Sequence, residues 1–155
     1  MKKILSYWLP VIAWMVFINP LNKELTTEST SRFLVPLLEW LFPAADQATI
    51  HLLHIAVRKC VHFFNYAFLA FLLFRAFRAG GRVWRPGWVI AAGVIALAYA
   101  GLDEFLQSMI AARTGSLYDW LIDSSGVLFA IGILSVRKRE QGKGITNEQI
   151  GKPAS

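Results

Sequence analysis

The chain has 155 residues, 55% of them hydrophobic and 17% charged, with a net charge of +6 and a mean hydropathy of +0.46. The apolar residues come in blocks, which excludes an ordinary water-soluble domain and indicates one membrane-embedded unit. The basic residues stand at the ends of those blocks, so the positive charge reads as membrane orientation and nucleic acid is excluded as a partner; the single cysteine excludes an internal disulfide.

Met1 to Asn19 carries two lysines and then I-L-S-Y-W-L-P-V-I-A-W-M-V-F-I. No small-x-small cleavage pattern follows, so this is expected to be an uncleaved and rather short first transmembrane helix, with Pro10 as a candidate kink. A polar stretch leads to Phe33, Leu34, Leu37, Leu38, Leu41 and Phe42, which recur at helical spacing, are interrupted by Pro36 and are closed by Pro43. That pattern predicts an amphipathic helix in the membrane interface. Asp46 is placed to cap a second helix, in which Q-A-T-I-H-L-L-H-I-A-V runs straight into the next span, Arg58 to Phe77. A-G-G-R-V-W-R-P-G is a turn by its Gly and Pro content. Trp88 to about Ala112 forms the third span and Ser116 to Val136 the fourth, stopped by R-K-R.

The expected fold is therefore an all-α integral membrane protein with four transmembrane helices and an interfacial amphipathic helix between the first and second. Residues 1–139 form the membrane domain. Residues 140–155, rich in Gly, Lys, Asn and Gln, are expected to be a disordered cytoplasmic tail. Lys2 and Lys3, then Arg75, Arg78, Arg82 and Arg85, then Arg137, Lys138 and Arg139 mark three cytoplasmic ends, which four spans with both termini inside satisfy.

This topology brings polar residues to one depth in the outer half of the membrane. The second span starts outside with Arg58, Lys59, His62, Asn65 and Tyr66; the third ends there with Asp103, Glu104 and Gln107; Arg113 lies in the outer loop; and the fourth begins with Asp119 and Asp123. Arg58/His62/Tyr66, Asp103/Gln107 and Asp119/Asp123 each repeat at four, so each set shares a helix face. A carboxylate in a membrane helix costs about 2.5 to 3.5 kcal/mol, and a shared polar cluster is the economical arrangement. Asp103 and Glu104 diverge by about 100° on a helix, so at most one is expected to face the cluster, with Asp103 preferred.

The same residues resemble a family. K-C-V-H-F-F-N-Y-A-F-L (59–69), D-E-F-L-Q (103–107) and R-T-G-S-L-Y-D-W-L-I-D-S-S-G (113–126) are similar in order and spacing to the motifs of the VanZ-like membrane proteins. Ala111-Ala112 stands where the family usually has Pro-Gly, Asp123 where it often has Asn, and Ala130 where it has a second Gly. The founding member is associated with low-level resistance to the glycopeptide teicoplanin, so the resemblance implies a membrane location, a site at these motifs and a role in the cell envelope.

Four functions compete. In the first, the outer cluster binds a polar headgroup or lipid-linked cell-wall component, with Arg113, Arg58 and Lys59 for anions and the carboxylates for cations or sugar hydroxyls; His62, Tyr66, Gln107, Asp119 and Asp123 complete that binding set. In the second, His62 and an acid among Asp103, Glu104, Asp119 and Asp123 perform acid/base or metal-assisted hydrolysis or transfer on a lipid-linked substrate. There is no HExxH or other dense ligand motif, so no metal ligand or cofactor is assigned, and Ser116, Ser124 and Ser125 are the only candidate nucleophiles. A transporter is disfavoured by four spans without an internal repeat. A purely structural clasp is the fourth. His51, His54 and Cys60 receive no role, and the six tryptophans read mostly as interfacial anchors.

Overall fold

A computed structural model describes residues 2–18, 32–79, 81, 84–109 and 117–150, with side chains described only between Leu5 and Val136. Its helices are α1 (Lys2–Phe17), α2 (32–41), α3 (Gln47–Arg78), α4 (Pro86–Ser108) and α5 (Leu117–Ile150). Among the described residues every regular element is helical.

The boundaries follow from local chemistry. Asp46 caps α3: its Oδ1 accepts the Thr49 backbone N–H at 2.9 Å. Hydrogen bonding from the Thr49 side chain and then its backbone holds the Asp46 carboxyl below the ordinary carboxylate range. With that cap the stretch 47–57 and the following span form one continuous helix of 32 residues. The turn after it takes its left-handed residue at Ala79 (φ 44°), not at a glycine, and the Ala79 N–H closes on the Ala76 carbonyl at 3.0 Å. The Arg78 guanidinium secures the turn by donating from Nε and Nη2 to the Gly81 carbonyl at 3.1 and 2.7 Å. Pro86 then opens α4, where its missing N–H costs nothing.

Among the described residues, three helices are long and apolar enough to cross a membrane: α3, α4 and the Leu117–Val136 part of α5. Twenty residues of helix rise about 30 Å, the thickness of a hydrocarbon core. Leu5–Phe17 of α1 is apolar but shorter. The helix of α5 continues past Val136 to Ile150, across much of the stretch whose composition predicts disorder. Glu140, Gln141 and Lys143 are good helix formers, and extending an existing helix avoids the cost of nucleation.

α3 is the central element and packs against α1, α4 and α5, while α4 also packs against α5. Leu69, Leu73, Ala96, Ala100 and Val127 lie at the centre, fully buried. Ala92, Ala96 and Ala100 present a small-residue stripe one turn apart, which lets helix backbones approach closely. The closest approach is at Gly126 of α5, where an added Cβ would collide with the backbone carbonyl of Phe63 in α3. α1 is tied on by the Trp14 indole N–H to the Asn65 carbonyl (3.1 Å) and by the Tyr99 hydroxyl to the Met15 carbonyl (2.7 Å).

The distribution of polarity is inverted relative to a soluble protein. Asp103 and Asp123 are 1% and 0% exposed, whereas Phe64, Ile90, Phe105 and Leu128 on the outward faces are all near 60%. Such a surface is stable against lipid tails and not against water. Trp8, Trp14, Trp84, Trp88 and Trp120 are partly buried against the core. Trp40 on α2 is 75% exposed. α2 runs through Pro36 and buries Leu38 while exposing Phe33, Leu37, Trp40 and Leu41.

Candidate carboxylate site between α3, α4 and α5

Residues one helical turn apart on α3 meet carboxylates on the two neighbouring helices. Lys59 Nζ donates to Asp119 Oδ1 of α5 at 3.0 Å; His62 Nδ1 lies 3.2 Å from Asp123 Oδ1 of α5; and the Tyr66 hydroxyl donates to Asp103 Oδ2 of α4 at 2.6 Å. The three contacts form a ladder that deepens along α3. Lys59 and Asp119 are 43% and 42% exposed, the His62 side chain is 21% exposed, and Tyr66, Asp103 and Asp123 are buried.

At the deep end, Asp103, Glu104 and Asp123 each offer a carboxylate oxygen, and these oxygens lie within 4.8 Å of one another. All three residues are buried. The expectation that only one of Asp103 and Glu104 faces the cluster is therefore corrected. Adjacent residues do diverge by about 100°, but α4 is buried against both α3 and α5 over an arc of that width, and the longer Glu104 side chain reaches the group. The absence of a dense ligand motif likewise hides an oxygen-donor group assembled from two helices. Beside it, Gln107 and Ser124 are each 8% exposed, and Gln107 Nε2 and Ser124 Oγ have no hydrogen-bond partner among the described residues. Ser125 is exposed and bonds the Ile122 carbonyl instead, at 2.6 Å. Arg113, Ser116 and the loop that carries them lie outside the described residues.

At the shallow end is an open cavity of about 210 Å³ lined by Ile55, Arg58, Lys59, His62 and Asp119. Arg58 belongs to this cavity and not to the buried group, and Cys60 is exposed. His62 joins the two compartments: it lines the cavity and touches Asp123. Bonding Nδ1 to a carboxylate fixes the orientation of the ring and leaves Nε2 to exchange a proton.

The ladder separates two energetic classes. The Lys59–Asp119 pair is over two-fifths exposed, and pairs of that kind contribute about 0 to 1 kcal/mol. The Tyr66 hydroxyl serves a buried carboxylate, and removing a donor from a charged acceptor costs about 1 to 3 kcal/mol. Lys59→Gln should thus leave thermal unfolding in detergent unchanged while Tyr66→Phe lowers it. Equal destabilisation by the two would contradict this ranking.

A multi-pass helical membrane protein with carboxylates buried between its spans is the class that these features define. Within that class the chain matches the VanZ/LLP1 family over residues 5–138, and it belongs to that family. No curated protein and no solved structure matches it.

Proposed function

We propose that this protein is an intramembrane hydrolase or transferase that acts on a lipid-linked component of the cell envelope. The observation that carries the reading is the buried group Asp103, Glu104 and Asp123, connected through His62 to an open basic cavity. Ionisable groups inside a membrane are costly and mark functional sites. An Asp-held imidazole beside further carboxylates is the equipment of general acid/base catalysis: His62 takes a proton from the attacking water or hydroxyl, and an acid of the buried group returns one to the leaving oxygen. The all-oxygen donor set of the three carboxylates suits a hard divalent cation such as Mg²⁺ or Mn²⁺, which would polarise the scissile group.

The exposed Lys59–Asp119 pair and Arg58 favour a second reading, in which the cavity binds an envelope headgroup without turnover and so contributes to glycopeptide tolerance of the teicoplanin type. Mass-spectrometric analysis of a polar lipid extract incubated with the purified full chain separates the two. Product that forms with wild type and not with His62→Gln supports the enzyme. Saturable binding with no product over prolonged incubation leaves the binding reading. Loss of product on adding a chelator assigns the metal-assisted route, and its retention assigns acid/base chemistry alone.

In the membrane we place α1 as a fourth, short span, α2 in the interface and both termini in the cytoplasm, so that the cavity opens outward. The support is the positive charge at Lys2 and Lys3, at 75–85 and at 137–139. In a Cys60→Ser background, which removes the exposed native thiol, Gly81→Cys should be reachable by an impermeant thiol reagent only from inside; labelling on intact cells would overturn the orientation.

A further inference from the structure

We infer that the cavity lined by Arg58, Lys59 and His62 is a subsite for a phosphate group, so that the substrate class of the proposed enzyme is a phosphate-bearing lipid. The inference rests on the reading of the site as acting on a lipid-linked substrate. Three features carry it, and the first is charge. Lys59 is matched by Asp119, whereas Arg58 lines the same cavity, is half-buried and has no carboxylate partner among the described residues. A guanidinium held in that way recognises planar or tetrahedral oxyanions through paired N–H donors, and His62 adds a further donor when protonated.

The second feature is depth. Arg78 ends α3, and Arg58 stands about twenty residues before it, a rise of about 30 Å. That is the thickness of the hydrocarbon core, so with Arg75 and Arg78 at one interface the cavity lies at the headgroup level of the opposite leaflet. His62 stands one turn deeper and Tyr66 two turns deeper, in line with the buried carboxylates. A phosphate held at Arg58 therefore sits beside His62, at the mouth of the acid/base site.

The third feature is size. Pockets that enclose whole drug-sized ligands occupy about 300 to 1,000 Å³. At about 210 Å³ and open on one side, this cavity holds a headgroup fragment and leaves the hydrocarbon chains in the bilayer. A phosphate group is shared by lipid headgroups and free inorganic phosphate, and the test distinguishes these sources.

The experiment measures binding to the purified full chain in neutral detergent by native mass spectrometry and by the shift in thermal unfolding. The probes are phosphatidic acid, inorganic phosphate, and oleate as an anionic lipid without phosphorus. Phosphatidic acid should bind saturably, and Arg58→Gln should weaken it about 10- to 100-fold, the loss expected for a charged phosphate contact. Arg58→Lys should recover part of the affinity, and Arg85→Gln, an exposed cation stacked on Trp88 at the other end of α4, should leave it unchanged. Saturable binding by inorganic phosphate that is equally sensitive to Arg58→Gln supports the subsite with a soluble phosphate as its source. Binding of oleate as tight as that of phosphatidic acid, or phosphatidic acid binding unaffected by Arg58→Gln in a folded variant, overturns the subsite. Such a failure leaves the carboxylate chemistry standing, since turnover of another headgroup would still depend on His62; loss of turnover with intact phosphate binding would instead remove the enzyme and keep the subsite.

Discussion

Gly126→Leu should abolish the folded bundle, and Gly126→Ala should destabilise it by about 1 to 3 kcal/mol, the usual cost of overpacking a tight interior. The cause is geometric. A Cβ at position 126 meets the carbonyl oxygen of Phe63 and comes within 3.2 Å of the Phe63 Cα. The obstruction is backbone, so it cannot rotate aside as a side chain would, and relief requires α3 and α5 to separate. That separation pulls His62 from Asp123 and loosens the core cluster to which Leu69, Leu73 and Val127 belong. Gly132 provides the internal control, because a Cβ there meets nothing within 4 Å. Thermal unfolding of the two alanine variants in detergent reads the difference directly. A Gly126→Ala protein as stable as Gly132→Ala would show that the two helices do not cross at this point.

The second large effect is on activity. Asp123→Asn should reduce turnover of the proposed lipid-linked substrate by about 10²- to 10⁴-fold, the range for removing a general acid/base function. Its effect on stability should be small. The asparagine carbonyl can still accept a hydrogen bond from His62, and relieving a fully buried carboxylate of its charge removes a desolvation cost. If Asp123 acts by orienting His62, then His62→Gln combined with Asp123→Asn should be no worse than the more damaging single change. Multiplicative losses would mean that the two residues act independently. Equal losses of stability and activity in Asp123→Asn would instead make the contact a structural clasp.

Much of this architecture is legible in the sequence, for identifiable reasons. Continuous apolar runs bounded by Gly, Pro and clustered bases delimit α3, α4 and the membrane part of α5, and Asp46 announces the start of α3 through its capping side chain. The spacing of four puts His62 and Tyr66 on one face, and Asp119 and Asp123 on another, since helical period alone decides which residues share a stripe. Period does not decide how wide a buried arc is or how far a side chain reaches, which is why Glu104 joins the buried group against expectation. Nor does it show that Lys59, adjacent to the stripe of Arg58, His62 and Tyr66, is the residue that meets Asp119. The closeness of Gly126 to Phe63 is a property of two helices at their crossing, and a glycine in an apolar run carries no mark of it. The division of the polar residues into an open basic cavity and a buried acidic group is likewise a result of packing.

The most direct measurement follows lipid species over time in sealed vesicles that contain the wild-type protein and a total polar lipid extract, alongside matched vesicles with the Asp123→Asn protein. The account predicts that at least one phosphate-bearing lipid is converted by the wild-type protein, with hydrolysis or transfer of its headgroup, and that conversion falls by about two orders of magnitude or more in the variant. Identical lipid profiles in the two samples, with both proteins folded and inserted, would contradict a catalytic role for the carboxylate site.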